Sequence, residues 1–319
     1  KNKIKNLIEV IKAYKNNPQI FILNKIVKDG YIEIESKIRF KEDGSIKSNY
    51  LVDGNIEDLK IELSNNNKIE KINFSFLIRE KDYLIYNLSS LYHSVKIKSN
   101  QIKIIENQDS YNFEGDISNL KSKINLSKFS ALLNNDIKSF LKNELIISSN
   151  NKFSFKLNKK IKFSDINIQS KMSLEELQYS NNIFKRFFPE YKKEIKLENN
   201  SITFDYKNGN YQINGKSKIN INGDIDDASY SLKKINKDFF YDLNFELINS
   251  ALNFKILNYT KNKNDKSSLK LSGKYLASKN VNLEKIKFIH DKNFINIQNV
   301  KINRNKKIKS IDNIKVSVF

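Results

Sequence analysis

Residues 71–78 read Lys-Ile-Asn-Phe-Ser-Phe-Leu-Ile, with a large apolar residue at every second position. These apolar residues are Ile72, Phe74, Phe76 and Ile78. Lysine, asparagine and serine occupy the first positions between them. Successive side chains of a β-strand point to opposite faces, so this spacing predicts a strand with one apolar and one wet face.

The same alternation recurs along the whole chain. Further runs lie at residues 31–40, 95–97, 102–104, 111–113, 153–157, 161–163, 166–168, 202–206, 211–213, 219–221, 243–247, 269–271 and 295–297. Strands with one wet face are typical of antiparallel sheets, whereas parallel strands read as continuous apolar runs. Turn clusters at residues 42–44, 64–67, 199–200 and 208–210 separate the runs at hairpin spacing. The sequence therefore predicts a mainly β protein built as a long antiparallel meander.

A few short helices are predicted beside the strands. Leu7, Ile8, Ile11 and Tyr14 have helical spacing that we expect to end at Pro18, and further helices are predicted at about residues 127–143 and 183–188. We interpret residues 1–319 as one elongated, repeat-like domain, with a subdivision into 1–126 and 146–319 around the central helix as an option. Because the chain starts at Lys1 and stops within an alternating run, we expect it to be a fragment of a longer protein.

A weak internal repeat accompanies the strands. The stretches Gly54–Leu59, Gly115–Leu120 and Gly223–Ala228 share the order Gly, Asn or Asp, Ile, any residue, Asp or Asn, then Leu or Ala. Each copy follows an alternating run, so we expect the same bend or turn to be reused. Recurring units of this kind favour a stacked architecture over a closed globule.

The charge of the chain is strongly positive. Its 319 residues include 57 Lys and Arg against 36 Asp and Glu, which gives a formal net charge of +21. Only four of the basic residues are arginines, whose planar fork reads phosphates and bases best. We therefore interpret the lysines as solvated strand faces and expect no nucleic-acid partner, with a polyanion-binding module as the lesser alternative. The absence of cysteine excludes disulfides and thiolate chemistry.

A search for catalytic and metal-binding patterns is negative. His93 and His290 lack a second ligand at helical spacing, and Gly215–Ser217 lacks the remaining glycine and the helix of a phosphate loop. The acidic cluster at residues 224–227 lacks the central Gly and distal Glu of a calcium loop, so we expect a turn. We predict a protein that is not an enzyme and has no catalytic residues, metal or cofactor.

The apolar face of such a meander must be covered. Two sheets can pack into a sandwich, one sheet can close into a barrel, or it can curl into an open groove that an apolar ligand fills. So many strands with so few covering helices favour an elongated groove, shielding the acyl chains of phospholipids. The predicted groove lining comprises Ile32, Ile34, Ile72, Phe74, Phe76, Phe153, Phe155, Ile202, Phe204, Ile219 and Ile221. The alternative is a structural or adhesive β-rich surface module with a dry core.

The chain resembles the AsmA-like superfamily of Gram-negative bacteria. The resemblance rests on Phe187–Glu190, Lys196–Phe204, Tyr211–Gly215 and Ile221–Ile225, and on the closing strand pair of Lys287–Val300. Among its members, the chain is most similar to the large YhdP/TamB-type proteins, which carry a domain of unknown function beside an AsmA-like C-terminal region. The bias toward Lys, Asn and Ile is similar to that of AT-rich alphaproteobacteria.

This resemblance implies a function and a location. It implies a periplasmic protein anchored in the inner membrane by a segment upstream of Lys1. It further implies a long β-groove that conducts phospholipids toward the outer membrane, with components of both membranes and unidentified proteins as partners. The family offers no catalytic residues to carry over, so the site remains the apolar lining inferred from alternation.

Overall fold

The computed structural model describes residues 1–14, 18–64, 67–125, 144–179, 195–221, 223–254, 258–276, 281–303 and 307–318. Within these residues the chain is mainly β. Eighteen strands form one long antiparallel meander sheet, two short strands form a second sheet, and two helices lie near the N-terminus. The predicted fold class, an antiparallel meander with a few short helices, is confirmed.

The described residues contain two helices and twenty strands. The helices are α1 (Ile4–Tyr14) and α2 (Pro18–Ile26). The strands are β1 (Asn2–Lys3), β2 (Val27–Lys37), β3 (Leu51–Ser64), β4 (Asn67–Arg79), β5 (Asp82–Tyr92), β6 (Val95–Glu106), β7 (Ser110–Asn125), β8 (Glu144–Asn158), β9 (Phe163–Tyr179), β10 (Ile195–Lys207), β11 (Asn210–Ile221), β12 (Asp224–Ile235), β13 (Asp238–Leu247), β14 (Leu252–Phe254), β15 (Tyr259–Lys261), β16 (Ser267–Tyr275), β17 (Val281–His290), β18 (Asn293–Ile302), β19 (Ile308–Ser310) and β20 (Asn313–Ser317).

The chain divides into two compact units. Unit 1 comprises residues 1–124 and 148–168, and unit 2 comprises residues 125–147 and 169–319. In unit 1 each strand from β1 to β7 pairs antiparallel with the next one in sequence. Such nearest-neighbour pairing is the pattern that hairpin connections dictate.

Unit 2 follows the same rule with one insertion. Strands β10 to β13 pair in sequence, and β13 then pairs with β16. The two-stranded sheet β14–β15 lies between them in sequence and pairs only with itself. The meander continues through β17 and β18, and the short strands β19 and β20 both pair with β18.

The N-terminal helix is confirmed, but its surroundings differ from the prediction. The residues with helical spacing lie in α1, which ends at Tyr14. α1 thus ends before Pro18, as expected, and Pro18 also begins a second helix, α2, which was not predicted. Proline suits the first position of a helix, because the amide hydrogen that it lacks would have no partner inside the helix there. The helices predicted at about 127–143 and 183–188 lie outside the described residues.

The turn predictions succeed in part. Asn208 and Gly209 have positive φ angles of 47° and 89° and form the tight β10–β11 turn as expected. The predicted turn at Asn199 is wrong: this residue also has positive φ, but it forms a bulge inside β10. Gly54 and Gly115 lie inside β3 and β7, so only Gly223 marks a turn among the three repeat glycines.

Candidate functional site: the apolar sheet faces

In unit 1 the apolar positions of successive strands lie directly opposite one another. Ile34 pairs with Gly54, which pairs with Phe76, and Phe76 pairs with Ile85. The neighbouring row runs through Val52, Ile78, Tyr83, Ile104 and Phe113. Directly opposed residues of an antiparallel pair share a face. One apolar face therefore continues from β2 to β7, which we call face 1.

Unit 2 has an apolar face of the same construction, which we call face 2. One row runs through Ile202, Gly215, Tyr230, Leu243, Leu271, Ile286 and Ile297. The next row runs through Phe204, Ile213, Leu232, Tyr241, Gly273, Leu283 and Val300. Seven strands thus contribute to face 2, with a register shift between β16 and β17 at Ser272 and Gly273, between the two rows.

Two glycines on these faces make room for aromatic rings. A Cβ atom at Gly215 would lie 2.0 Å from the ring of Tyr230, and one at Gly54 would lie 2.8 Å from the ring of Phe76. In both pairs the ring belongs to the residue directly opposite, so it lies across the backbone of the glycine strand. This packing explains Gly215 inside a strand and is consistent with the absence of a phosphate loop there.

The predicted lining residues lie on these two units, with different degrees of burial. Ile72, Ile219 and Ile221 are buried, whereas Ile34 is 45% exposed. The remaining seven are partly exposed: Ile32, Phe74, Phe76, Phe153, Phe155, Ile202 and Phe204. The central rows of both faces are also mostly partly exposed. Some buried apolar side chains, such as Leu59 and Ile72, lie under α1. Others form a buried cluster made of strand residues alone, namely Ile195, Ile219, Ile221 and Ala228.

Aromatic rings are concentrated on both faces. In unit 1 the rings of Phe113 and Phe155 stack with their centroids 4.6 Å apart. In unit 2 Tyr211, Phe239 and Tyr275 form a row across β11, β13 and β16, with neighbouring centroids 6.3 and 6.4 Å apart. Phe239 and Tyr275 are each 38% exposed. Large, flat apolar surfaces thus remain in contact with solvent at these positions.

One end of face 1 is covered by α1 and α2, which together form the helical cap. Ile4 and Ile8 of α1 are buried against Val27, Leu59 and Ile72 of the sheet. Leu59 and Ile72 lie directly opposite each other on face 1. The contact is made by aliphatic side chains, so it is held by apolar burial and dispersion.

One end of face 2 is covered by β14, β15 and the residues that flank them, 248–254 and 258–266, which form the hairpin cap. Leu252 and Tyr259 are buried against Leu247 and Phe288. The ring of Phe254 lies 5.1 Å from that of Phe288, centroid to centroid. Phe288 belongs to face 2, so the hairpin cap lies directly on the apolar side of the sheet.

A buried aspartate and a buried lysine fix the start of the hairpin cap. The carboxylate of Asp226 accepts hydrogen bonds from the backbone amides of Ile248, Asn249 and Ser250 at 2.7, 2.7 and 3.0 Å. The Nζ atom of Lys261 donates to the carbonyl oxygens of Ile248 and Ser250, both at 2.7 Å. Residues 248–250 are therefore bound by Asp226 through their amides and by Lys261 through the carbonyls of Ile248 and Ser250. We call this arrangement the clasp.

Burial shapes the ionisation of this clasp. The side chain of Lys261 is fully buried, and that of Asp226 is 3% exposed. Desolvation lowers the pKa of Lys261 below its ordinary value, while the charges of Asp226, Asp265 and Asp224 act in the opposite direction. Three carboxylates near one ammonium explain how a fully buried lysine is retained.

The second histidine of the sequence also lies in the hairpin cap region. The hydroxyl of Tyr259 is hydrogen-bonded to Nδ1 of His290, and both side chains are buried. Nε2 of His290 faces the carboxylates of Asp265 and Asp291 at 3.8 and 3.6 Å. Burial raises the pKa of the Tyr259 phenol, so it stays protonated near neutral pH. His290 thus fastens the cap to the sheet.

Lysines on the wet faces pair across strands. Lys60 lies 2.9 Å from Glu70, and Lys218 lies 2.6 Å from Asp227, nitrogen to oxygen. All four side chains are well exposed. Such pairs contribute little to stability and keep the wet face solvated. Among the residues that the structure describes, no three side chains of His, Asp or Glu are grouped as a metal site would require.

Sequence reasoning missed the clasp. Asp226 was interpreted as a turn residue, yet it lies in phase with Ala228, Tyr230 and Leu232 of face 2. An acidic residue at an apolar position of a strand requires a buried partner, so this phase is the signal that identifies it. No comparable signal marks Lys261, because its strand has only three residues.

Comparisons with protein-family models, with curated proteins and with solved structures found no match to this chain. Within the described part of the chain, neither helix is long and apolar enough to cross a membrane.

Proposed function

We propose that the protein is a non-enzymatic carrier that shields the acyl chains of phospholipids against its apolar sheet faces. The observation that carries the proposal is the partial exposure of both faces away from their caps. Ile34 and Leu232, for example, keep 45% and 38% of their surface exposed although they lie in apolar rows. Contiguous exposed apolar patches are typical of binding surfaces.

Acyl chains suit these faces chemically. A row of Ile, Leu, Phe and Tyr side chains offers a long apolar strip with few groups that require hydrogen bonds. Each methylene removed from water contributes about 0.8 kcal/mol, so a long chain lying along a face is held without specific polar contacts. The charged headgroup would remain in water at the border of the face. Lysines of the solvent-exposed side of the sheet alternate with the apolar residues along the same strands.

The proposed setting comes from the family resemblance. We place the protein in the periplasm, anchored to the inner membrane by a segment outside residues 1–319, and assign it a role in phospholipid transport between the two membranes and in outer-membrane homeostasis. In this scheme the lining residues, including Phe153, Phe155, Ile202 and Phe204, shield the lipid passively. No chemical step and no cofactor are involved.

The proposal is tested by measuring bound phospholipid. Protein purified without detergent is extracted, and phospholipid per chain is quantified by mass spectrometry for the unaltered protein and for Phe204→Asp and Phe155→Asp. A carboxylate on an apolar face must be desolvated when an acyl chain covers it. We expect each variant to retain about a tenth of the bound phospholipid or less, since 1.4 kcal/mol already corresponds to tenfold.

Matched controls lie next to each substituted residue. Thr203→Asp and Ser154→Asp introduce the same charge on the other side of the same strands and should leave the phospholipid content unchanged. Circular dichroism checks that all four variants keep their strands. An unaltered protein that carries no phospholipid, with well-protected amides throughout both faces, would contradict the proposal and favour the structural or adhesive module with a dry core.

A further inference from the structure

The helical cap exposes large apolar side chains on its outer side. Ile4 and Ile8 are used for packing on face 1, yet Val10 and Tyr14 of α1 are 55% and 90% exposed. On α2, three consecutive residues, 21 to 23, are also exposed. These are Phe21 at 61%, Ile22 at 41% and Leu23 at 42%. The helical cap is therefore apolar both on the side that packs against the sheet and, at Val10, Tyr14 and residues 21–23, on the side that is exposed to solvent.

The spacing of these residues groups them on the helix surfaces. Val10 and Tyr14 are four residues apart, so they lie on the same side of α1. Phe21 and Lys25 have the same spacing on α2 and place an exposed ring beside an exposed lysine. The hydrogen bond from Nδ2 of Asn24 to Oε1 of Glu9, at 2.8 Å, joins the two helices.

The helical cap and its flanking residues carry mostly positive charge. Residues 1–28 contain seven lysines and a single acidic residue, Glu9. That carboxylate is already engaged, since it accepts the bond from Asn24 and lies 3.7 Å from Nζ of Lys12. Lys1 is paired as well, with Glu57 of β3. The remaining lysines still give the sequence of the helical cap and its flanks a net positive charge.

From these observations we propose that the outer surface of the helical cap docks on an anionic lipid surface. Aromatic and aliphatic side chains on a helix insert at the boundary of headgroups and acyl chains, while the surrounding lysines interact with anionic headgroups. Protein interfaces are depleted in lysine, so charge complementarity favours a lipid surface over a second copy of the chain. The proposal concerns surface attachment and does not depend on lipid carriage by faces 1 and 2.

The test is flotation of the protein with vesicles. Vesicles of phosphatidylcholine with phosphatidylglycerol are compared with vesicles of phosphatidylcholine alone, at low and high salt. We expect binding to the anionic vesicles only, weakened by salt because the lysine contribution is screened. The variant Phe21→Ser/Leu23→Ser should bind about tenfold more weakly, and Lys5→Gln/Lys25→Gln should lose the preference for anionic vesicles.

A matched control separates docking from general stickiness. Phe163 and Leu120 are 60% and 62% exposed, so Phe163→Ser/Leu120→Ser removes a similar apolar surface elsewhere and should bind like the unaltered protein. Equal loss of binding in this control would overturn the proposal. So would unchanged binding of Phe21→Ser/Leu23→Ser, or a dimer in vesicle-free solution that this variant abolishes. Phospholipid content, measured on the same samples, should stay constant, which keeps this outcome distinct from the carrier test.

Discussion

The helical cap and the hairpin cap cover apolar sheet faces with different chemistry. In the helical cap, aliphatic side chains such as Ile4 and Ile8 pack against aliphatic residues of the sheet. The hairpin cap adds a buried aspartate, a buried lysine and a tyrosine–histidine hydrogen bond to its apolar contacts.

This difference determines how each cap responds to change. Apolar packing has no preferred direction and loses stability in steps that follow the volume removed. A buried charge is stable only while its partners remain, so one substitution can leave several groups uncompensated. The hairpin cap should therefore fail as a unit, whereas the helical cap should weaken gradually.

The largest effect is expected from Asp226→Ala. The substitution leaves the backbone amides of Ile248, Asn249 and Ser250 without this acceptor, and it removes the carboxylate that acts most strongly on the pKa of Lys261. Breaking such a buried charged arrangement costs about 3–5 kcal/mol. We expect a loss of this size in the free energy of unfolding of unit 2, and faster amide exchange at residues 248–250.

The neighbouring aspartate provides the control for this prediction. Asp227 lies on the opposite side of β12 and pairs with Lys218 on an exposed surface. Asp227→Ala should cost about 1 kcal/mol or less. Equal effects of the two substitutions on urea unfolding would contradict the assignment of a clasp and would leave the hairpin cap dependent on apolar packing, like the helical cap.

The helical cap should respond to Ile8→Ala by a smaller amount. Ile8 is 8% exposed, and its truncation removes buried methyl and methylene groups at a cost of about 2–4 kcal/mol. Ile8→Val should cost about 1 kcal/mol, so the series is graded. Urea unfolding followed by circular dichroism measures these changes.

The neighbouring residue Ile11 serves as the reference for Ile8. Its side chain is 37% exposed, so Ile11→Ala should cost well under 2 kcal/mol. Because no titratable group is involved in the Ile8 contact, the effect of Ile8→Ala should be the same at every pH tested. A strong pH dependence of the Ile8→Ala effect would show that titratable groups also stabilise the helical cap, as they do the hairpin cap.

Much of the sheet could be predicted because its strands obey a local rule. Alternation in residues 71–78 requires only that one side of a strand is apolar, and the same rule located β6, β10 and β13. It did not locate β3, β5, β12 or β17. The turn at Asn208 and Gly209 was likewise predicted from residues that tolerate positive φ.

The errors arise where the same local signal permits two structures. Asn199 tolerates positive φ, but a bulge uses this conformation as readily as a turn. The pattern of α1 ends before Pro18 as expected, but a proline that follows one helix can also begin the next, and α2 was missed for this reason. The hairpin cap was missed because β14 and β15 have three residues each, too few to show a period. The phase of Asp226 within its strand indicates a buried carboxylate, but its partners at residues 248–250 are distant in sequence and no local pattern identifies them.

The smallest predicted effect is a dependence of the hairpin cap on pH. Desolvation lowers the pKa of Lys261 below 10.5, so between the two values the unfolded chain binds more protons than the folded one. The free energy of unfolding must then rise with pH across this interval.

The contribution of Lys261 is isolated by comparison with Lys261→Met, which retains most of the buried volume without a titratable group. The difference in free energy of unfolding, unaltered protein minus variant, should increase as the pH approaches the ordinary lysine pKa of 10.5 from below. The tyrosines are the same in both proteins, so their titration cancels in this difference. The same difference taken with Ile8→Ala should stay level over this interval. If the Lys261 difference falls instead, attraction by Asp226 and its neighbours outweighs desolvation. Lys261 would then stabilise the hairpin cap in its charged form, because folding would favour the protonated side chain.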